Sequence, residues 1–438
     1  MLKVTKFGGS SMADATQCRK VANIVRSDPG RRVVVVSAAG KRFSGDHKIT
    51  DLLYLCHAHV QYGVPCDPVW NIIVSRHLEI RDELGLELDL ESDFKVLKQR
   101  LDSKTISQDE LVSRGEYLAA KLMAAHLGYR FVDAADWIRF SMDGSVDKDA
   151  SYAALKSMVQ GQGIVIPGFY GAMPDGAIRT FTRGGSDITG ALAAAALDAD
   201  VYENWTDVSG MLMADPRIVE NPLPIPEITY DELRELSYAG AQVLHEGTVF
   251  PVREKGIPVN IRNTNAPEDR GTFLRETVDP ANDPGRVMTG VTGKKDFSVI
   301  TVSKRGMTNE AGAFRKILGV PEKHGVSIDF VVNGIDNISL VASTAALAPH
   351  LYAILADIQQ QVQPDKLNVV EQIAVVAAVG HGMSSRPGVS GQIFAKLGEA
   401  GINIRMITQG PEELNIIFGV DNKNFEETIR ILYHSFVK

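Results

Sequence analysis

Lys3-Val4-Thr5-Lys6-Phe7-Gly8-Gly9-Ser10-Ser11 runs from a short β-type segment into a Gly-Gly-Ser turn with a lysine beside it. Two adjacent glycines let backbone N–H groups approach phosphate oxygens with no Cβ in the way. Beyond the turn, Val21, Ile24 and Val25 recur at helical spacing, so a helix is expected whose positive end faces the turn. Lys6 adds a mobile point charge. The pattern predicts a phosphate cradle, and a tight strand-to-helix connection is the plainer alternative.

Working outward, buried-strand runs alternate with amphipathic stretches: Arg32-Val33-Val34-Val35-Val36-Ser37, then 111–127, then Gly163-Ile164-Val165-Ile166-Pro167-Gly168-Phe169. Short apolar strands bounded by glycine and separated by helical segments predict a mostly parallel sheet covered on both faces. Ligand sites belong at the carboxyl ends of such strands. The stretch 41–109 is less regular and rich in charge, with Leu84-Gly85-Leu86-Glu87-Leu88-Asp89-Leu90 inside it, and reads as a mainly helical insertion projecting from the sheet. Between 263 and 285 the sequence turns to Asn, Pro, Asp and Gly, which marks a boundary before a second region.

Composition narrows the function classes. The chain has 438 residues, 44% hydrophobic and 23% charged, enough to bury sizeable cores in two or three domains. A formal charge of −8 and the lack of a basic run argue against nucleic acid as a partner, so anionic ligands must be met locally. Cys18, Cys56 and Cys66 have neither metal-type pairing nor a disulfide spacing, which fits ordinary thiols in a reducing cytoplasm and no zinc or other metal site. The longest apolar runs, such as 33–36, are far too short to span a bilayer, and no export signal is visible.

The second region repeats itself at an offset of 76 residues: Gly306-Met307 meets Gly382-Met383, Gly312 meets Gly388, Ile317 meets Ile393, Gly325 meets Gly401, Ile328 meets Ile404 and Gly334 meets Gly410. Each copy is expected to open with a strand (298–303; 373–379), pass a glycine-bearing turn and an amphipathic helix, and return as a strand (326–332; 402–408). Two copies of a small α+β module follow. They are read as a pair that binds a ligand between them, with duplication for stability alone as the alternative.

These copies resemble ACT modules, the ferredoxin-like units that sense amino acids in biosynthetic enzymes. The preceding region resembles the aspartate kinase branch of the amino acid kinase family. The resemblance is carried by Lys6-Phe7-Gly8-Gly9-Ser10-Ser11, Val35-Val36-Ser37-Ala38, Ile49-Thr50-Asp51-Leu52-Leu53, Arg114-Gly115-Glu116, Arg183-Gly184-Gly185-Ser186-Asp187 and Trp205-Thr206-Asp207-Val208-Ser209-Gly210, in that order. Asp215-Pro216-Arg217, Gly240-Ala241-Gln242-Val243-Leu244-His245 and Ile261-Arg262-Asn263-Thr264 extend it over nearly the whole chain. The resemblance implies an α/β fold, an amino acid kinase-like mostly parallel sheet sandwiched by helices, followed by two ferredoxin-like α+β ACT modules. The expected divisions are a catalytic domain over 1–285 with the 41–109 helical insertion, a first module over 286–367 and a second over 368–438. The second module is expected to borrow a strand near 287–291.

An enzyme of this branch moves the γ-phosphoryl of ATP to the side-chain carboxylate of L-aspartate, giving 4-phospho-L-aspartate, the first step toward lysine, threonine and methionine. Both reactants are anions, so positioning and charge neutralisation are the problem to solve. Lys6 and the amides of Gly8, Gly9 and Ser10 suit the phosphoryl oxygens. Asp187 is implied to orient Lys6. Mg²⁺ bridging the ATP phosphates is implied as well. Aspartate's α-amino and α-carboxylate groups call for an opposite pair, supplied by Glu116 and Arg183, with Gly184, Gly185 and Ser186 at the amino end of the helix that follows. Glu116 is placed at the first turn of an apolar-periodic segment, where a solvated acid favouring the helix dipole is the alternative; Ser186 and Asp187 could equally cap their helix. Ser37 and Thr50 match positions that contact aspartate or phosphate, though hydroxyls at turns are often only structural.

The nucleotide is expected near Thr206, Asp207, Leu212, Arg217, Gln242 and Val243. Relatives often carry tyrosine in place of Leu212, lysine in place of Gln242 and proline in place of Glu246. Gln242 can hydrogen-bond but cannot neutralise a phosphate, so altered nucleotide affinity is expected. Met307, Phe314, Asp329 and Asn333 match effector-sensing positions, with lysine favoured over threonine as the effector. Asp329 would meet the effector's amino group or stand as a solvent-facing strand acid. A homodimer or higher homo-oligomer is the expected assembly. Competing readings are a kinase for glutamate or carbamate, and a catalytically silent amino-acid sensor. Retention of Lys6, Glu116, Arg183 and Asp187 weighs against the sensor.

Overall fold

Val33, Val34, Val35 and Val36 are wholly buried, which a strand achieves only when helices cover both faces of its sheet. In the computed structural model, which describes residues 1–159, 161–182, 184–241, 244, 246–278, 287–384 and 386–437, they belong to an eight-stranded sheet. Its strands are β1 (Lys3–Phe7), β2 (Arg31–Val36), β3 (Arg130–Phe131), β4 (Ile164–Pro167), β7 (Val201–Thr206), β8 (Glu227–Thr229), β9 (Val259–Asn263) and β10 (Thr272–Arg275). A separate ribbon joins β5 (Tyr170–Ala172) to β6 (Ile178–Thr180). The sheet order is β3-β4-β2-β1-β7-β9-β10-β8, parallel throughout except between β9 and β10.

Parallel register decides where a site can form. Phe7 pairs with Val36 on one side and Trp205 on the other, and Val36 pairs with Pro167. The carboxyl ends of β4, β2, β1 and β7 therefore lie side by side, and the chain turns away to opposite sides of β1. That divergence opens a crevice above Gly8, Ser37, Gly168 and Asp207.

The stretch 41–109 contains the helices Ile49–Gln61, Asp67–Glu83 and Glu91–Asp102. They do not project from the sheet. Leu53, Trp70, Ile73, Phe94 and Leu101 share one buried cluster with Phe7, Val36 and Trp205, so these helices form part of the sheet's own covering layer.

The chain compacts as two units, one of Met1–Met211, Pro224–Tyr230 and Val243–Val278, the other of Leu212–Leu223, Asp231–Gln242 and Asp279–Lys438. The expected contiguous division at 285 differs from this, because two short segments belong with the carboxyl-terminal unit. Within that unit Met213 O accepts from Val291 N at 2.8 Å, Leu223 N donates to Tyr433 Oη at 2.8 Å, and the buried Glu232 accepts from Thr289 Oγ1 at 2.6 Å.

The second unit holds one six-stranded antiparallel sheet of β11 (Gly290–Ser303), β12 (Phe330–Asn333), β13 (Asn337–Ser343), β14 (Lys366–Val379), β15 (Met406–Thr408) and β16 (Asn415–Asp421), ordered β12-β13-β11-β14-β16-β15. The expected division at 367/368 falls inside β14. Residues 290–294 of β11 pair with 375–379 of β14, and 299–303 with 366–370, so each long strand serves both halves. Asp296 (φ 65°) and Gln372 (φ 60°), again 76 residues apart, take left-handed backbone where the strands pass from one half to the other. Gly312 (φ 80°) and Gly388 (φ 90°) occupy matching left-handed N-caps of the helices Ala313–Lys323 and Val389–Glu399, a conformation that costs a Cβ-bearing residue energy. The returning strands are shorter than expected, beginning at Phe330 and Met406.

Candidate active site

Lys6 sits one residue before the end of β1, paired across the sheet with Asn204 of β7. Its side chain is nearly enclosed, and Nζ lies 2.7 Å from Asp187 Oδ1 and 3.5 Å from Asn204 Oδ1. Asn204 Nδ2 donates to the same Asp187 oxygen at 2.9 Å. An ammonium held by one carboxylate and one amide is fixed in direction, which a freely rotating surface lysine is not. Asn204 was not singled out from sequence, since a lone Asn inside an apolar strand carries no signal beyond its type.

A Cβ on Gly8 would stand 3.6 Å from Lys6 Nζ, so the bare glycine backbone keeps a methyl group off the ammonium. The turn itself differs from expectation. A 3-10 turn, Gly9–Met12, follows Gly8, and the α-helix Ala15–Arg26 starts only after Asp14 caps it through Gln17 N at 2.8 Å. Gly8 N is committed to Trp205 O at 3.0 Å. Of the three amides assigned to phosphate, those of Gly9 and Ser10 are without a protein acceptor among the described residues.

Gly9, Ser10, Ser37, Thr50, Glu116 and Asp207 line one cleft of about 470 Å³ at the carboxyl ends of β1, β2 and β7. Ser37 N donates to Phe7 O at 3.1 Å, which ties the ends of β2 and β1 together. Thr50 opens the helix Ile49–Gln61, held by Ile49 N to Ala39 O at 3.1 Å. Thr206 ends β7, and its Oγ1 donates to Asp207 Oδ1 at 3.1 Å. Lys41 and Lys48 also line the cleft. Sequence reading passed over both, because exposed lysines in a polar loop look like solvated charge.

Gly40 closes the floor. Its N donates to Gly9 O at 2.8 Å, and a Cβ there would stand 2.5 Å from Gly9 C, 2.7 Å from Gly9 O and 2.8 Å from Ser10 N. Backbone cannot yield as a side-chain tip does. Gly40→Ala is expected to cost about 1–3 kcal/mol and to displace the Gly9 and Ser10 amides. A melting curve and MgADP titration check this; wild-type affinity in Gly40→Ala would show that the crossing does not shape the anion site.

Glu116 corrects its expected position. The helix is Gln108–Leu127, capped by Ser107 Oγ on Glu110 N at 3.1 Å, so Glu116 lies two turns in, buried, and cannot serve the helix dipole. Burial pushes its carboxyl up to about 8, with the Ala38 backbone pulling the other way, and Oε2 has no hydrogen-bond partner among the described residues. A buried acid facing a cleft with one oxygen unpartnered suits a cationic group. Gly115 permits this approach, since a Cβ there would stand 2.8 Å from Ala38 Cβ.

Gly184 (φ 56°) is the N-cap of the helix Gly185–Ala196, and Ser186 is buried in its first turn. A Cβ on Gly168, just past β4, would stand 2.5 Å from Ser186 Oγ, so this helix start lies against the end of the strand neighbouring β2. Arg183, Gln242 and Val243 lie outside the described residues. Leu212 and Arg217 fall in the second unit, where the exposed Arg217 is bound to Asp215 Oδ2 at 2.6 Å.

Of the expected effector residues, Met307 is buried in the core of the second unit, so its side chain is not offered to a ligand, and Phe314 packs partly against that core. Asp329 accepts from Ser343 N at 3.1 Å, while Tyr238 Oη donates to Asp329 O at 3.0 Å; it is therefore not a free strand acid. Asn333 is exposed at the end of β12.

A fixed ammonium, two free amides and a buried acid with one unpartnered oxygen at one sheet switch point suit the joining of two small anions, one of which also carries an amine. The chain belongs to the amino acid kinase family, whose model matches residues 1–263, and an ACT domain model matches 376–436. It is 35% identical to aspartokinase 3 of Bacillus subtilis over 99% of this chain and 98% of that one. The crystal structure of Clostridium acetobutylicum aspartate kinase superposes with a TM-score of 0.93 at 45% identity, covering 99% of both chains. Escherichia coli aspartokinase III, covered over 100% of both chains, gives 0.79 at 26% identity in its complex with lysine and aspartate, and 0.76 at 25% with aspartate and ADP.

Proposed function

We propose that the cleft transfers the γ-phosphoryl of ATP to the side-chain carboxylate of L-aspartate, forming 4-phospho-L-aspartate, and that amino acids acting on the second unit restrain it. The observation that carries this reading is Glu116, buried with Oε2 lacking a partner among the described residues, in the same cleft as the Gly9 and Ser10 amides. An α-ammonium satisfies that acid, and phosphoryl oxygens satisfy the amides.

In this reading Lys6 neutralises charge on the transferring group, with Asp187 and Asn204 holding its direction. Ser186 and the helix amino end behind it receive the α-carboxylate together with Arg183. Ser37 and Thr50 border the attacking carboxylate, and Asp207 stands at the nucleotide side. Mg²⁺ carried on the nucleotide would supply neutralisation of the phosphate charge. Asp207, the exposed carboxylate on the cleft, would help hold it, and no cluster of three or more metal-ligating side chains exists among the described residues.

The second unit supplies regulation, with lysine the favoured effector and Asp329 and Asn333 its expected contacts. Assembly as a homodimer completes the proposal, and a cytoplasmic location agrees with three free buried cysteines. No helix among the described residues is long and apolar enough to cross a membrane.

The test is ATP-dependent trapping of the acyl phosphate with hydroxylamine and Mg²⁺, offering aspartate or glutamate, each with and without lysine and threonine. Aspartyl hydroxamate, suppressed by lysine, is the expected result. Product from glutamate alone would reassign the substrate, and no product from a folded protein that binds an amino acid would favour a silent sensor.

A further inference from the structure

Residues 40–48 form the wall of the cleft that carries Lys41 and Lys48, yet they have no helix or strand to hold them. Besides the bond from Gly40 N to Gly9 O and a turn bond from Asp46 N to Phe43 O at 3.1 Å, they are held by a buried side chain from the helix Asp67–Glu83. Arg76 is 2% exposed and reaches both ends of the loop. Its Nη1 donates to Gly40 O at 2.9 Å, and its Nη2 to Asp46 Oδ1 at 2.8 Å, to Asp46 Oδ2 at 2.7 Å and to His47 O at 3.4 Å. Asp46 in turn accepts from Arg42 N at 3.0 Å and Arg42 Nε at 2.9 Å, which closes the middle of the loop on the same carboxylate.

The two residues gripped at the ends, Gly40 and His47, each directly precede one of the cleft lysines. Fixing them fixes the separation and direction of Lys41 and Lys48. Among the described residues neither lysine makes an ion pair, whereas the loop's other cation, Arg42, is already engaged by Asp46 and by Glu79 at 3.5 Å. Burying a guanidinium here is costly, and Arg76 Nε has no partner, so packing alone gives no reason for arginine at this position. A planar fork that takes a carbonyl in one direction and a carboxylate in another is what arginine offers and lysine does not.

We propose that Arg76 is a positioning residue that holds the 40–48 loop so that Lys41 and Lys48 present their ammonium groups to the anionic reactants. The inference rests on the kinase reading of the cleft. It gives the helix Asp67–Glu83 a part in the reaction without any of its side chains touching a reactant.

The test compares the full-length wild type with Arg76→Ala, Arg76→Lys, Asp46→Asn and the double variant Lys41→Met/Lys48→Met. The readouts are amide hydrogen exchange across 41–48, MgADP affinity by calorimetry, and kcat and KM for ATP and aspartate. Arg76→Ala and Asp46→Asn are expected to speed exchange in the loop at least tenfold and weaken MgADP about tenfold. Arg76→Lys, which keeps the charge and loses the fork, should behave as Arg76→Ala, and millimolar guanidinium should restore part of the affinity to Arg76→Ala where equal ammonium does not. The double lysine variant should lose the same affinity with loop exchange unchanged.

Lower melting temperatures with wild-type MgADP affinity and KM values in the Arg76 and Asp46 variants would overturn the proposal, as would unchanged loop exchange. If Arg76→Ala fails to fold, Asp46→Asn and Arg76→Lys decide it alone. A wild type that makes no aspartyl hydroxamate yet binds MgADP would sink the aspartate reading only, because exchange and affinity still report on the loop.

Discussion

Lys6→Met is expected to lower kcat by about 10²–10³-fold or more, the loss seen when one preorganised donor is removed from a developing anion. The methionine stem fills nearly the same space, so the loss is of charge. Two mechanisms could lower the rate, and they separate cleanly. Losing the ammonium removes positive charge where phosphoryl oxygens need it, and it also strips Asp187 of the partner 2.7 Å away. Breaking a fully buried pair costs about 3–5 kcal/mol, and the cost here is smaller because the Asp187 side chain is 22% exposed. Asn204 Nδ2 still donates to Asp187, which softens it further.

The double variant Lys6→Met/Asp187→Asn removes both charges. It should regain the melting temperature lost by Lys6→Met while staying inactive. Recovery of turnover along with stability would mean that Lys6 acts through the fold and not on the phosphoryl group. Undiminished turnover in Lys6→Met alone would take Lys6 out of the reaction altogether.

What the sequence disclosed follows from how local each device is. The Gly8-Gly9 turn, the all-valine strand and the glycines at 312 and 388 are legible because backbone requirements are met by residues adjacent in the chain. The 76-residue repeat reaches even to Asp296 and Gln372, whose matching left-handed backbone no residue type announces. Glu116 was read one helix start too late, although Ser107 and Glu110 form a capping pair that marks the true beginning. Arg76 and Asn204 could not have been found this way. Their partners are 36 and 198 residues distant, and an arginine on an amphipathic helix reads as solvent-facing until the loop it enters is known. The borrowing of 212–223 and 231–242 by the second unit is likewise non-local, since it depends on buried bonds such as Glu232 to Thr289.

The second large effect concerns Glu116 and pH. With its carboxyl pushed up to about 8 by burial, the empty site holds Glu116 mostly protonated at neutral pH. In the proposed arrangement the aspartate α-ammonium binds the ionised form, so binding below pH 8 must expel a proton. Apparent affinity then rises about tenfold for each pH unit from 6 toward 8 and levels off above. Arg114 favours the ionised form only weakly against the desolvation.

Glu116→Gln keeps the shape and cannot ionise. Its aspartate KM should be raised about 10–100-fold, the worth of a charge-assisted hydrogen bond, and should no longer change between pH 6 and 9. Stability moves the opposite way to affinity in the wild type. The folded carboxyl keeps its proton from its ordinary value of 4.5 up to about 8 while the unfolded chain loses it, so stability falls as pH rises through that window, and Glu116→Gln should flatten the fall. Aspartate KM and melting temperature measured from pH 6 to 9 on both proteins decide the matter. A wild-type KM independent of pH, or a Glu116→Gln enzyme with wild-type KM, would show that the buried acid does not receive the substrate's amine.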